Sequence, residues 1–344
     1  MFNQENSNPT VTNCRFSSNS AGYGAGMRNN GSSPTVTNCT FSENSARGEG
    51  GGMDNRYDSY PAVTNCTFSG NTANTNGGGM FNFTNSNPVV SECTFSDNEA
   101  GWGGGMCNDN SNPKVRNCSF SNNNSIGGDG GGGMMNFHST ATLVNCVFLN
   151  NSSANVGGGM FNVYGSLTMI NCTFSGNSAV IDGGGMYNDW DSYPILTNCI
   201  LWADEPNEIV NNHNSNPTVT YSDVQGGWAG LGNIDANPLF VDANHPDPNL
   251  WNLRLSYGST CIDAGDTTAV PTGIFSDMNG DLRRLDDPAS PDTGISIFGV
   301  TVDMGAYEFQ LCRIPGDVNC DGVVDFKDVA ILCASWLTGT EPEL

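Results

Sequence analysis

Val63-Thr64-Asn65-Cys66-Thr67-Phe68-Ser69-Gly70-Asn71, followed shortly by Gly77-Gly78-Gly79-Met80-Phe81-Asn82, is the stretch whose reading decides the fold. Cys66 and Phe68 are two apart, so in a strand they point to the same face. Val63 and Cys66 are three apart, which breaks the alternation by one residue. Asn65 can absorb the slip, because asparagine tolerates the left-handed region of backbone space. Val63 therefore belongs to one short strand, Asn65 to a bend, and Cys66 to Phe68 to the next strand. The glycine run leads into a third strand, with Met80 pointing inward.

The same pattern recurs every 25–28 residues. Its marker is a column of cysteines: Cys14, Cys39, Cys66, Cys93, Cys118, Cys146, Cys172 and Cys199. Three residues before each stands Val, Leu or Met (Val11 to Leu196), and two after stands Phe16, Phe41, Phe68, Phe95, Phe120, Phe148, Phe174 or Leu201. Asn precedes the cysteine everywhere except at Glu92, and a second Asn column runs from Asn19 to Asn177 and ends in Asp204. After each Met of the glycine motif the residue varies freely (Arg28, Asp54, Phe81, Cys107, Met135, Phe161, Tyr187), which implies an outward position.

A coil of three short strands and three turns closes in such a length, and coils stack about 4.8 Å apart. Like then stacks on like: Val on Val, Cys on Cys, Phe on Phe. One coil cannot bury its own apolar face, so the array is the folding unit. The expected fold is all-β, a right-handed parallel β-helix (solenoid), plus a small C-terminal calcium loop-helix module. Asn columns can ladder through amide–amide hydrogen bonds. Cysteines stacked in parallel, one rung apart, lack the converging geometry of a disulfide, so they are read as reduced inward thiols. Asn-Cys-Thr also matches a glycosylation acceptor, but the ladder accounts for it better.

Residues 1–237 are assigned to the repeats, about nine coils, the ninth carrying Ser222 in place of Cys. Residues 238–310 are read as irregular closing coils or a β-rich cap, with candidate strands at 252–255 and 302–307, and 311–344 as the calcium-binding module. Met1-Phe2-Asn3 matches Met80-Phe81-Asn82, so the chain starts mid-repeat. It reads as part of a longer protein or a truncated gene model, with an export signal expected upstream.

The 344 residues hold 11 Lys+Arg against 35 Asp+Glu, a net charge of −24. Such a surface repels nucleic acid and anionic membranes and suits cations or neutral glycans. No run of 18 apolar residues exists, so membrane insertion by a helix is not expected.

The pairing of Phe68-Ser69-Gly70-Asn71 with Gly77-Gly78-Gly79-Met80, and of Phe174-Ser175-Gly176-Asn177 with Gly183-Gly184-Gly185-Met186, resembles the repeat of chlamydial polymorphic outer membrane proteins. Seven tandem copies span residues 1 to about 190. The resemblance implies an extracellular β-helical passenger used for adhesion. The chain departs from that family in showing no membrane β-barrel at its C-terminus, so the resemblance does not extend to autotransport. Asn237-Pro238-Leu239-Phe240-Val241-Asp242, Cys261-Ile262-Asp263-Ala264-Gly265 and Asp303-Met304-Gly305-Ala306-Tyr307-Glu308 look like the tail of pectate-lyase-like extracellular β-helix proteins.

Asp317, Asn319, Asp321, Asp325 and Asp328 place oxygen ligands at positions 1, 3, 5, 9 and 12 of a calcium loop, with Val323 donating its carbonyl and Gly322 at the sharp turn. Phe326, Val329, Ala330, Cys333, Trp336 and Leu337 follow on one helical face. The segment resembles a dockerin repeat, which implies calcium and a cohesin-like partner. It departs from that family in having one repeat rather than two, and in placing Phe326 and Lys327 where small hydroxyl residues usually meet cohesin. A disulfide among Cys312, Cys320 and Cys333 is left open.

No catalytic residue is assigned. A hydrolase needs two facing carboxylates. The best candidates are Asp54 with Asp58 and Asp189 with Asp191, but both recur at one turn and read as repeat sequence. Arg15, Arg28, Arg47, Arg56, Lys114 and Arg116 are read as scattered, and His138, His213 and His245 as isolated surface residues. The expected function is an extracellular or cell-surface structural or adhesive β-helix, monomeric, with a calcium-stabilised anchoring module and a glycan or cell-surface partner. The alternative is a polysaccharide-binding or polysaccharide-degrading component, of lyase or glycosidase type if an enzyme.

Overall fold

The computed structural model describes residues 1–310, apart from Asp129, Asn244 and 246–249, together with Phe326 and Val329. The chain winds as an all-β parallel solenoid of about nine turns. Three nine-stranded parallel sheets run its length. The Met sheet runs from Phe2–Gln4 to Ile209–Asn211, the Val sheet from Thr10–Thr12 to Thr218–Thr220, and the Phe sheet from Arg15–Ser17 to Asp223–Val224. Where three strands per coil were expected, seven coils carry a fourth, from Ser20–Ala21 to Ser178–Ala179. It forms because the residue two beyond the second Asn column is small. Ala46, Ala73 and Ala100 pack there as a narrow apolar strip that lets a short strand turn inward. No α-helix lies among the described residues up to 310.

The register is the one the columns require. Val63 pairs with Val36 and Val90, Phe68 with Phe41 and Phe95, Met80 with Met53 and Met106. All of these are buried in one continuous core. Successive phenylalanine rings stand 4.5–4.8 Å apart and within 8° of parallel. The rung spacing of the sheet imposes this stacking; burial of each ring stabilises it. Asn65 has φ 50°, and the other residues preceding the column cysteines also lie in the left-handed region, Glu92 included. The bend that corrects the alternation is therefore real. Gly77 has φ 64°, and a Cβ on Gly78 would sit 2.6 Å from the carbonyl oxygens of Glu99 and Gly104, so neighbouring coils can close only over glycine.

Two buried Asn ladders run through the solenoid. In the Met sheet Asn55 Nδ2 donates to Asn82 Oδ1 at 2.8 Å, and Asn82 to Asn108 likewise. In the second, Asn71 Nδ2 donates both to Asn98 Oδ1 and to the carbonyl of Phe41, each at 2.9 Å. The cysteines make a third relay. Cys66 N–H donates to Cys93 Sγ at 3.4 Å, while Cys66 Sγ donates to the Thr64 carbonyl at 3.2 Å. The described cysteines are free thiols. Ser222 does the same work in the ninth coil: it accepts from Cys199 N–H at 2.9 Å and donates to the Thr220 carbonyl at 2.8 Å. Cys14 and Phe16 depart from the expected burial. Cys14 is exposed and Phe16 half-buried, because they belong to the first coil of the stack and are covered on one side only.

The described residues of the segment after 237 pack along the outer face of the Phe sheet. Phe240–Asp242 pairs antiparallel with Asn252–Leu255. The stretch 302–307, expected as a strand, is not one. Its backbone is held instead by scattered contacts, such as Gly305 N–H to the Asn198 carbonyl and Ala306 N–H to Thr173 Oγ1. Leu253 and Ala306 pack on Val147 and Leu149, while Leu255, Ile262 and Met304 pack near Ile200 and Trp202. The expected metal ligands Asp317, Asn319, Asp321, Val323, Asp325 and Asp328 lie outside the described residues. Phe326 and Val329 have helical backbone and are exposed, 90% and 50%.

Candidate functional site: a groove on the outer face of the Met sheet

From Met27–Asn30 to Met186–Asp189 each Met-sheet strand points Met and Asn inward and its other two residues outward. The first outward column reads Phe81, Cys107, Met135, Phe161, Tyr187, and the second Phe83, Asp109, Phe137, Val163, Asp189. The first column faces outward as expected, yet Phe81, Cys107, Met135 and Phe161 are buried. They form a second apolar cluster with Val163, Phe83 and Phe137 on the outer surface of the coil. The variation after Met was real, but its character changes along the chain, from charged in the early coils to apolar in the middle ones.

One wall comes from the fourth strand, which is lengthened here to Thr72–Asn76 and Glu99–Trp102 and pairs Asn76 with Trp102. The other comes from the turn after the Met sheet, where His138, Tyr164 and Trp190 adopt φ 48°, 51° and 47°. Their rings form a stack, His138 on Tyr164 at 4.7 Å, Tyr164 on Trp190 at 6.0 Å and Trp190 on His213 at 4.1 Å. The two histidines taken as isolated are thus parts of one aromatic rail. Between the walls lies a groove of about 270 Å³, floored by Met135, Phe137 and Phe161, with Trp102 and Trp190 among its lining.

Asp109 and Asp189 also line this groove. Burial pushes the Asp109 carboxyl up from the ordinary carboxylate range. Asp189 Oδ1 lies 2.6 Å from His213 Nδ1. The two aspartates are three rungs apart in one column, about 14 Å at the usual strand spacing. That exceeds the separations at which two carboxyl groups flank one glycosidic bond, about 5–9.5 Å. The arrangement is an apolar floor with an acceptor at each end, suited to binding an elongated polar molecule.

The sequence-derived carboxylate pairs do not face a common space. Asp54 is buried against Arg56, whose Nε lies 2.8 Å from both its oxygens, and Arg28 approaches at 3.3 Å. Asp58 is instead exposed at the turn, where it accepts from Tyr60 and Asn85. Asp191 repeats this with Tyr193 and Asn214. Arg28 and Arg56, read as scattered, meet in one cluster with Asp54, Glu49 and the ring of Tyr23. The stacking of coils brings them together, since Arg28, Asp54 and Phe81 are successive rungs of one column. Burial still raises Asp54 to about 6 despite the two guanidiniums.

Residues 1–167 match the family model described as a right handed beta helix region. No curated protein matches the chain. Among solved structures, the β-helix is similar to the crystal structure of pectate lyase Pel9A, with 16% identity and a TM-score of 0.48 over 90% of this chain and 72% of that one.

Proposed function

We propose that this β-helix is an extracellular adhesive protein that holds a glycan strand in the groove on the outer face of the Met sheet. The observation that carries the reading is the column Asp109, Phe137, Val163, Asp189 lying between Trp102 and Trp190. Sugar rings present an apolar face that packs on aromatic and aliphatic side chains, while their hydroxyls need acceptors at fixed points. The groove offers both, and the protein's net charge of −24 favours a neutral glycan over an acidic one. The wide spacing of the two aspartates supports binding over hydrolysis. In the same reading the loop 317–328 takes one calcium ion through Asp317, Asn319, Asp321, Val323, Asp325 and Asp328 and serves as the anchoring module. A glycan array followed by calorimetry tests the groove. A neutral polysaccharide should bind, and Trp190→Ala and Asp109→Ala should each weaken it at least about tenfold, the loss expected when one buried contact is removed. Binding that survives both substitutions, or no binding to any glycan, overturns the proposal.

A further inference from the structure

The tail holds a second concentration of acid, remote from the groove. Asp263 follows the strand-free segment Ser259–Ile262 on the solenoid's flank, and the loop 285–294 wraps over it. Thr293 and Gly294 both donate backbone N–H to the Asp263 carbonyl, at 3.0 and 3.2 Å, and Asp287 N–H donates to Asp263 Oδ2 at 3.2 Å. Asp263 has no exposed surface, and its Oδ1 has no hydrogen-bond donor. Asp286 Oδ1 is in the same condition, shielded and without a donor. These two side chains and that of Asp292 place one carboxylate oxygen each within 4.8 Å of the other two.

Leaving a buried carboxylate oxygen unmatched costs free energy, and gathering three carboxylates adds repulsion. The neighbouring groups do not relieve it. Arg283 gives Nη1 to Glu308 at 2.8 Å and Nη2 to the Gly305 carbonyl, its Nε meeting no acceptor, and Arg284 is spent on the carbonyls of Ile274 and Val270. Asp303 is spent on the backbone N–H groups of Asp263 and Phe309. Among the described residues no ion pair reaches Asp263, Asp286 or Asp292. A hard cation would satisfy all three carboxylates at once. Oxygens on opposite sides of a calcium ion stand about 4.6–5.2 Å apart, whereas magnesium holds its oxygens at about 2.0–2.1 Å and demands near-octahedral order. The three oxygens here fit within the calcium span. One of the three residues is exposed, which leaves a route in and room for water to complete the shell.

We propose that Asp263, Asp286 and Asp292 bind a calcium ion that fastens the loop 285–294 to the flank of the β-helix. This site is independent of the loop at 317–328. The test uses the full chain carrying Asp317→Ala and Asp321→Ala, so that any uptake by that loop is removed. Calcium titrated calorimetrically into this protein at neutral pH should bind at one site per chain, and hydrogen exchange in 285–294 should slow. Adding Asp292→Asn, at an exposed position where the fold tolerates the change, should weaken the affinity by at least about tenfold, the lower bound seen even for outer-shell partners of metal ligands. Asp286→Asn should do the same. Absence of calcium uptake by the chain with the silenced loop would mean that the carboxyls share protons instead and would overturn the site. So would an affinity unchanged by Asp292→Asn.

Discussion

The repeats and the tail are stabilised by opposite kinds of contact. In the repeats every partner sits one rung away, at the same column of the next repeat, so Phe68 meets Phe41 and Phe95 and nothing else need be known. In the tail the partners lie far off: Asn145 donates to the Ser276 carbonyl, Asn171 to that of Asp303, and Asn198 to that of Asp266. The same Asn column that bends the chain in the early coils becomes, in the last ones, a row of clasps for a distant segment. A periodic position can therefore carry two functions, and only its neighbours outside the period show which.

The largest effect should come from the core of the array. Phe120→Ala removes a ring buried between two others and should cost about 3–5 kcal/mol in urea unfolding. Because each coil depends on its neighbours, the tail should be lost in the same transition. The reverse should not hold. Val147→Thr with Leu149→Ser gives that coil the outer face of its neighbours and removes the apolar seat of Leu253 and Ala306. It should cost about 2–4 kcal/mol of tail docking and raise proteolytic cleavage within 238–310, while the parallel sheets remain protected. Simultaneous loss of both regions would erase the distinction between them.

A smaller effect is expected where the second Asn ladder ends. Asp204 accepts from Asn177 as an asparagine would, and Glu208 Oε1 accepts the next rung's bond from Asp204 N–H at 3.1 Å. Asp204 Oδ2 and Glu208 Oε2 are left buried without donors. Burial raises both carboxyls, Glu208 to about 7. Folded pKa values above the unfolded ones mean that the pair's contribution is fully present below about pH 4.5 and is lost as pH rises through about 7. Asp204→Asn restores the ladder and supplies a donor. The variant should match the parent near pH 4 and exceed its stability by about 1–2 kcal/mol above pH 7. A constant difference across that range would show that the pair is not what titrates.

The smallest change tests the thiol relay. Alkylation of the native protein should modify Cys14 readily and leave Cys66, Cys93, Cys146 and Cys199 intact, since their thiols are held above the ordinary range, by the neighbouring thiol and then burial at Cys66 and Cys93 and by burial and then the neighbouring thiol at Cys146 and Cys199. After denaturation without reductant all eight column cysteines should react. Bonds mapped between successive coils would reject the relay.

The columns made the coil, its register and its core legible, down to the left-handed Asn at each bend. The substitution at Ser222 was legible for the same reason, since a hydroxyl can replace the thiol in both of its hydrogen bonds. The groove was legible only in part. The apolar run Phe81, Cys107, Met135, Phe161 is plain once the columns are aligned, but variability alone suggested solvent, and a tally of types along the column would have shown a buried outer face. The aromatic rail escaped because His138, Tyr164, Trp190 and His213 are of three residue types. Their equivalence is conformational, a shared left-handed backbone, rather than chemical. The seat of the tail had a signal as well. Val147, Leu149, Ile200 and Trp202 stand where the second to fifth coils have Thr or Ser and the first has Arg15 and Ser17, which marks a face that something must cover. What covers it could not be read, because the tail has no period to align.

The uniform rung has a consequence for inheritance. Among the early coils the upper rim of one is complementary to the lower rim of the next, because from Val36 to Val115 the same Val, Cys, Phe, Met and Asn meet at each interface. A tandem duplication or deletion of one repeat in the gene therefore yields a longer or shorter solenoid without a mismatched joint. This freedom is not evenly spread. The early coils can be gained or lost without displacing the tail, whereas the coils of Asn145, Asn171 and Asn198 must keep their order, since the tail grips each by a different residue. Length variants of this protein should differ in copy number before Cys118 and agree in the arrangement after it.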